Sequence, residues 1–129
     1  MKFNIVILIV IVIGTLFLFA GKIGSQPVVE NNIKKDFMST YRDTKNGLLV
    51  DVRTKDEYDT GHIAGAINID FYSSSFIENI KNVSEGKHLF IYCRSGARSG
   101  KAVEMLKAEG LTVEDLPGGI IARQDLIGL

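Results

Sequence analysis

Residues 91–100, Ile91-Tyr92-Cys93-Arg94-Ser95-Gly96-Ala97-Arg98-Ser99-Gly100, bring the only cysteine of the chain together with two arginines and a glycine. The run His88–Tyr92 before Cys93 is nearly all apolar and suits a buried strand. After the loop, Ser99–Glu109 has helical spacing. Ala102, Val103 and Leu106 fall on the inner side, Lys101, Glu104 and Lys107 on the outer, and Gly110 ends the helix. The loop therefore lies over a helix N-terminus, where free N–H groups and the helix dipole favour an anion. Gly96 lets the backbone curl, because it tolerates positive φ. Arg94 and Arg98 add two positive charges. Each of these effects stabilises a thiolate, and a thiolate is the nucleophilic form of cysteine. The bland alternative is a small core cysteine beside solvated arginines.

The elements that must hold this loop form an alternating pattern. Ile33, Phe37, Met38 and Tyr41 recur at helical spacing, and Lys45-Asn46-Gly47 turns the chain. Leu48–Val52 is a short apolar run suited to a buried strand. Thr54 followed three residues later by Glu57 matches a capping box, so a short helix should start there and close at Gly61. Ala66–Ile69 reads as a second strand. Phe76, Ile77, Ile80 and Val83 form a helical stripe before the turn at Glu85-Gly86-Lys87. Leu111–Leu116 reads as a last strand, and residues 120–127 as a short terminal helix. Strands alternating with helices imply an α/β domain with a mostly parallel central sheet flanked by helices. Ligands in such sheets bind at the carboxyl ends of the strands. The loops after Val52 and after Tyr92 both qualify. Asp51 and Arg53 sit at the end of the neighbouring strand. Asp51 either holds the cysteine loop or a nearby Arg by hydrogen bonds, with Arg53 shaping the rim, or the two form an edge ion pair.

Three blocks of sequence, in this order, resemble the rhodanese-like domain family of sulfurtransferases. Leu49-Val50-Asp51-Val52-Arg53, with Glu57-Tyr58, Gly61-His62-Ile63 and Gly65-Ala66-Ile67-Asn68, is similar to that family's first signature. Cys93-Arg94-Ser95-Gly96-Ala97-Arg98-Ser99 is similar to its active-site loop, and Leu116-Pro117-Gly118-Gly119 to its closing segment. The resemblance covers residues 33–129 and implies a small rhodanese-like domain. It implies that Cys93 carries sulfur as a persulfide, taken from thiosulfate or another small anionic donor and passed to a thiol or to cyanide. Arg94, Ser95, Gly96, Ala97, Arg98 and Ser99 would bind the donor, with Asp51 and Arg53 in support and no cofactor. The pattern departs at one place. Ile120 follows the Gly-Gly pair where the family usually has an aromatic residue, and the chain has no Trp. That departure bears on the packing of the C-terminal edge, not on sulfur chemistry. Loop length bears on the choice between sulfur and phosphate. Related phosphatases place five residues between cysteine and arginine, whereas Cys93 and Arg98 have Arg94, Ser95, Gly96 and Ala97 between them. The resemblance implies that the shorter cradle holds a persulfide and not a phosphoryl group, which disfavours a phosphatase or arsenate reductase. A catalytically silent interaction module is the other competing class, and the intact Cys93 argues against it.

Length allows one domain in this chain of 129 residues. Its formal net charge is zero, but the balance is uneven. The first 25 residues hold two Lys and no acid, leaving 13 basic and 15 acidic side chains for the rest. The basic residues are scattered among acids, so there is no nucleic-acid footprint. His62 follows a turn glycine and reads as a structural hydrogen-bonding residue. His88 opens a strand and is expected to be exposed. Neither has a second His or Cys nearby, so no metal site is expected. Between Lys2 and Lys22 lie 19 uncharged residues, mostly Ile, Val, Leu and Phe. Residues 1–22 therefore read as a signal-anchor or signal peptide and 23–32 as a linker. Leu18 stands where a cleavage site wants a small residue, which favours an uncleaved single-span anchor with the domain outside the cytoplasm. Cleavage would give a periplasmic or secreted protein. A monomer is expected. A lone cysteine there cannot form a disulfide within the chain, so it is either buried and inert or a reactive thiol.

Overall fold

The computed structural model describes residues 32–128. The expected signal-anchor over residues 1–22, and all but the end of the linker, lie outside the described residues. Among the described residues, no helix is long and apolar enough to cross a membrane.

The chain runs from helix α1 (Asn32–Asp43) through strand β1 (Gly47–Asp51) and helix α2 (Lys55–Asp59) to strand β2 (Ile67–Asn68). Helix α3 (Phe76–Val83), strand β3 (His88–Tyr92), helix α4 (Ala97–Ala108) and strand β4 (Val113–Asp115) follow. Two 3-10 turns, Ile120–Ala122 and Gln124–Leu126, close the domain. The four strands form one parallel sheet in the order β2-β1-β3-β4. The chain leaves β1 toward one edge and β3 toward the other. The strand order thus reverses between β1 and β3, and the crevice at their carboxyl ends is where such sheets bind ligands.

Both faces of the sheet are covered, which is why Leu48–Val50 of β1 and Leu89–Tyr92 of β3 run apolar instead of alternating with polar residues. Leu49, Phe90 and Tyr92 face one core with Phe37, Met38, Ile63, Leu116, Ile120 and Leu126. Val50, Leu89, Ile91 and Cys93 face the other, with Phe76 and Ile80 of α3 and Ala102 and Leu106 of α4. The period of two along each strand sends neighbouring residues to opposite cores.

Several boundaries differ from the sequence expectation. Only Val113–Asp115 pair with β3, so the last strand is shorter than Leu111–Leu116. The second strand shrinks to Ile67–Asn68. Residues 120–127 form two 3-10 turns instead of one helix. Ile120 is buried in the first core, so an aliphatic side chain fills the C-terminal edge. His88 is not exposed as expected. Its side chain is 26% accessible and its ring stacks on Phe90 at 4.6 Å between centroids. His62 meets its expectation. Its Nδ1 lies 3.0 Å from the Tyr58 carbonyl, and its ring stacks on Tyr58 at 3.7 Å.

Candidate active site

Cys93 follows the last residue of β3, fully buried, and its side chain packs in the core on the α3 and α4 face of the sheet. Gly96 takes φ 92°, which sharply reverses the backbone, and α4 starts at the next residue. The helix thus begins two residues earlier than the sequence spacing implied. The tighter loop turns back over the sulfur. The Gly96 N–H donates to Cys93 Sγ at 3.1 Å, and the Ser99 hydroxyl donates to it at 3.4 Å. Burial alone pushes a thiol upward. Here the Ser99 hydroxyl and the N–H groups of Ser99, Gly96 and Ser95 outweigh burial and hold Cys93 below the ordinary thiol value.

The closing segment fixes the other side of the loop. The Ile120 N–H donates to the Cys93 carbonyl and the Ile121 N–H to the Arg94 carbonyl, both at 2.9 Å. A Cβ on Gly119 would stand 2.5 Å from the Arg94 oxygen, so only glycine allows this approach. With those carbonyls tied backward, the loop turns its N–H groups toward the sulfur.

The two arginines of the loop differ in their surroundings. Arg98 is paired. It makes a two-pronged ion pair with Glu57, at 2.6 and 2.8 Å, and its guanidinium lies 5.8 Å from the Tyr72 ring centroid. Glu57 also accepts from the Thr54 N–H, so the capping box that starts α2 is the clamp that holds Arg98. The Arg98 contact pulls the Glu57 carboxyl down to about 2 against the opposing effect of burial, and the Thr54 hydrogen bonds add to the pull. Arg94 is exposed and has no ion-pair partner among the described residues. It is the loop's uncompensated positive charge. Ser95 and Ala97 are also exposed.

Asp51 and Arg53 form a pair, but a buried one. Arg53 Nε and Nη2 donate to the Asp51 carboxylate at 2.7–3.0 Å, and Nη2 also reaches the Gly61 carbonyl at 2.7 Å. Asp51 therefore holds a nearby arginine and not the cysteine loop. Asn68 Nδ2 bonds the carbonyls of both Asp51 and Arg53, fixing the strand end. Sequence reasoning missed Glu57 as the partner of Arg98, although the capping-box spacing had already singled it out. It also missed Tyr72, which carries no motif, and Asp115. Burial raises the Asp115 carboxyl, opposed by the adjacent Ser99 hydroxyl and the Leu116 N–H. Among the described residues, no group of three or more His, Cys, Asp or Glu is placed to hold a metal.

Residues 34–123 match the profile of the rhodanese-like domain. The chain belongs to the rhodanese-like domain family. The uncharacterized protein YqhL of Bacillus subtilis (strain 168) is 29% identical over 117 residues, which cover 90% of this chain and 89% of that protein. The tRNA uridine(34) hydroxylase of Oceanobacillus iheyensis is 36% identical over 92 residues, covering 67% of this chain. The matched segment is only 28% of that hydroxylase's length, so what is shared is the rhodanese-like portion. Among solved structures, a rhodanese-related protein from Thermoplasma volcanium is 34% identical, with a TM-score of 0.59 over 69% of this chain and 87% of that one. A rhodanese-like domain protein from Staphylococcus aureus is 29% identical, with a TM-score of 0.59 over 69% and 85% of the two chains.

Proposed function

We propose that this rhodanese-like chain is a sulfurtransferase that carries sulfane sulfur as a persulfide on Cys93. The observation that carries this reading is the set of donors around Sγ, with Gly96 N–H at 3.1 Å and the Ser99 hydroxyl at 3.4 Å. Donors so placed favour negative charge on sulfur, which makes Cys93 a good nucleophile in one half-reaction and a good leaving group in the other.

In the first half, Cys93 thiolate attacks the outer sulfur of a small anionic donor such as thiosulfate. A new S–S bond forms, the donor's S–S bond breaks, and sulfite leaves with the electron pair. The persulfide then takes a proton from water. In the second half, an acceptor thiolate or cyanide attacks the outer sulfur, and Cys93 departs as thiolate. Arg94 draws the anionic donor to the loop, Arg98 keeps the start of α4 fixed against Glu57, and Ser95, Gly96, Ala97 and Ser99 supply the cradle around the transferred sulfur. Asp51 and Arg53 support it by fixing the end of β1. The chemistry calls for no metal or cofactor.

The test is thiocyanate formation from thiosulfate and cyanide by the parent and by Cys93→Ser. The parent is expected to turn over and the variant to be silent, with unchanged circular dichroism. Turnover by the Ser variant at the parent rate would overturn the mechanism.

The domain is further inferred to work outside the cytoplasm as a monomer, tethered by residues 1–22. This rests on the 19 uncharged residues between Lys2 and Lys22 and on the large Leu18 where a cleavage site wants a small side chain. Recovery of the protein in the soluble cytosolic fraction, with its first 25 residues intact, would sink that placement.

A further inference from the structure

Strand β4 brings one more titratable group to the Cys93 face of the sheet. Val113 packs in the same core as Cys93, and the period of two puts Asp115 on that face as well. Asp115 pairs in register with Ile91, two residues before Cys93. Helix α4 covers this face, and its Ser99 is fully buried. The Ser99 hydroxyl stands between two acceptors. One is Cys93 Sγ, to which it donates at 3.4 Å. The other is the Asp115 carboxyl, which burial pushes up and the same hydroxyl pulls down. A hydroxyl has one hydrogen to donate. With that hydrogen on the sulfur, Asp115 Oδ1 is buried with no hydrogen-bond partner among the described residues. The Leu116 N–H also faces the carboxyl, but it is engaged by the Ile91 carbonyl at 3.0 Å. A buried acceptor left unmet is costly and calls for a reason. Around Cys93, β1 and α3 present the apolar Val50, Val52, Phe76 and Ile80, and α4 presents Arg98, whose charge Glu57 meets.

We propose that Asp115 is a positioning residue that acts through Ser99 to favour the sulfur-loaded state of Cys93 over the free thiolate. The inference rests on the sulfur-transfer reading and adds to it a residue that sets how firmly the sulfur is held. In the free enzyme the charged Sγ takes the Ser99 hydrogen, and the Asp115 carboxylate goes without. Loading forms the Sγ–S bond as sulfite leaves with the electron pair of the donor's S–S bond. Sγ is then a neutral bridging atom and a weak acceptor, so the Ser99 hydrogen turns to Asp115. Discharge reverses this. Cyanide attacks the outer sulfur, the Sγ–S bond breaks with its electron pair on Sγ, the outer sulfur's proton goes to water, and thiocyanate leaves. Sγ regains its charge and draws the hydroxyl back from Asp115, so the carboxylate opposes this step. Ser99 and Asp115 neither gain nor lose a proton over the cycle.

The test compares the full-length parent with Asp115→Asn, which keeps the shape, removes the charge and lets the amide donate to the Ser99 oxygen. Each protein is loaded with thiosulfate and freed of the excess. Loss of the persulfide mass in cyanide gives the discharge rate. The pH profile of iodoacetamide alkylation of unloaded protein gives the acidity of Cys93. Asp115→Asn is expected to discharge about fivefold faster and to carry a thiol about fivefold more acidic, the worth of one ordinary hydrogen bond. In a Ser99→Ala background the same substitution is expected to change either quantity by less than about twofold, because the shared hydroxyl is gone. Where Asp115→Asn does not fold, Asp115→Ser supports the same comparison. Equal discharge and equal acidity in parent and variant, with or without a change in melting temperature, would overturn the role of Asp115. So would a gap that persists in full without Ser99. Either result leaves sulfur transfer standing. A parent that gains no persulfide would overturn sulfur transfer, and the role of Asp115 with it.

Discussion

Replacing Glu57 with Gln removes the charge that meets Arg98 while keeping the side chain's length and its ability to accept a hydrogen bond. In the folded protein the Glu57 carboxyl is held at about 2, against an ordinary value of 4.5, chiefly by Arg98. Taken at face value, a depression of that size corresponds to roughly 3 kcal/mol. The Glu57 side chain is 30% exposed and that of Arg98 16%, so solvent screens part of it, leaving about 1–2 kcal/mol. The sign follows from the direction of the shift. A carboxyl with a lowered folded value contributes in full above its unfolded value and loses that contribution as pH falls toward the folded one. The stability gap between parent and Glu57→Gln should therefore be full at neutral pH, begin to shrink below about pH 4.5, and vanish near pH 2. Urea unfolding at a series of pH values measures it. A variant as stable as the parent at neutral pH, or a gap that stays constant down to pH 3, would refute the claim that Glu57 clamps Arg98 by charge.

Three other substitutions test the remaining parts of the site. Ser99→Ala removes the hydroxyl donor to Cys93 and should raise its pKa. Iodoacetamide should then alkylate Cys93 severalfold more slowly at neutral pH and at the parent rate once both thiols are fully ionised; equal rates at every pH would deny Ser99 that role. Gly119→Ala puts a Cβ 2.5 Å from the Arg94 oxygen at φ 64°, and should cost at least about 2 kcal/mol in thermal or urea unfolding. Asp51→Asn strands the Arg53 guanidinium in the interior without its counter-charge, and should destabilise the domain by about 3–5 kcal/mol. Unfolding midpoints within a degree of the parent would show that the pair is dispensable.

The parts of the fold that were legible in the sequence are those fixed by local or one-dimensional signals. β1 and β3 showed as short apolar runs because both of their faces are buried. The start of α2 showed because Thr54 and Glu57 satisfy each other three residues apart. The cysteine loop showed because Cys93, Gly96 and the following helix lie within a few residues. The parts that were not legible depend on contacts distant in sequence. Glu57 and Arg98 are 41 residues apart, and no local pattern pairs them. Arg98 therefore read only as a positive charge on the loop, with no partner named for it. β4 is an edge strand that pairs with β3 only from Leu89 to Ile91, an extent its own apolar run does not mark. The early start of α4 follows from Gly96 turning into the left-handed region, and sequence only permits that turn. His88 was misjudged because its cover comes from the Phe90 ring on its own strand.

The most direct test of the central claim is the intact mass of the protein after treatment with thiosulfate and removal of the excess. The account predicts a gain of about 32 Da, one sulfur atom, that maps to Cys93, is absent from Cys93→Ser, and disappears on adding cyanide. A folded parent protein that gains no mass, or a gain that survives the Ser substitution, would contradict it.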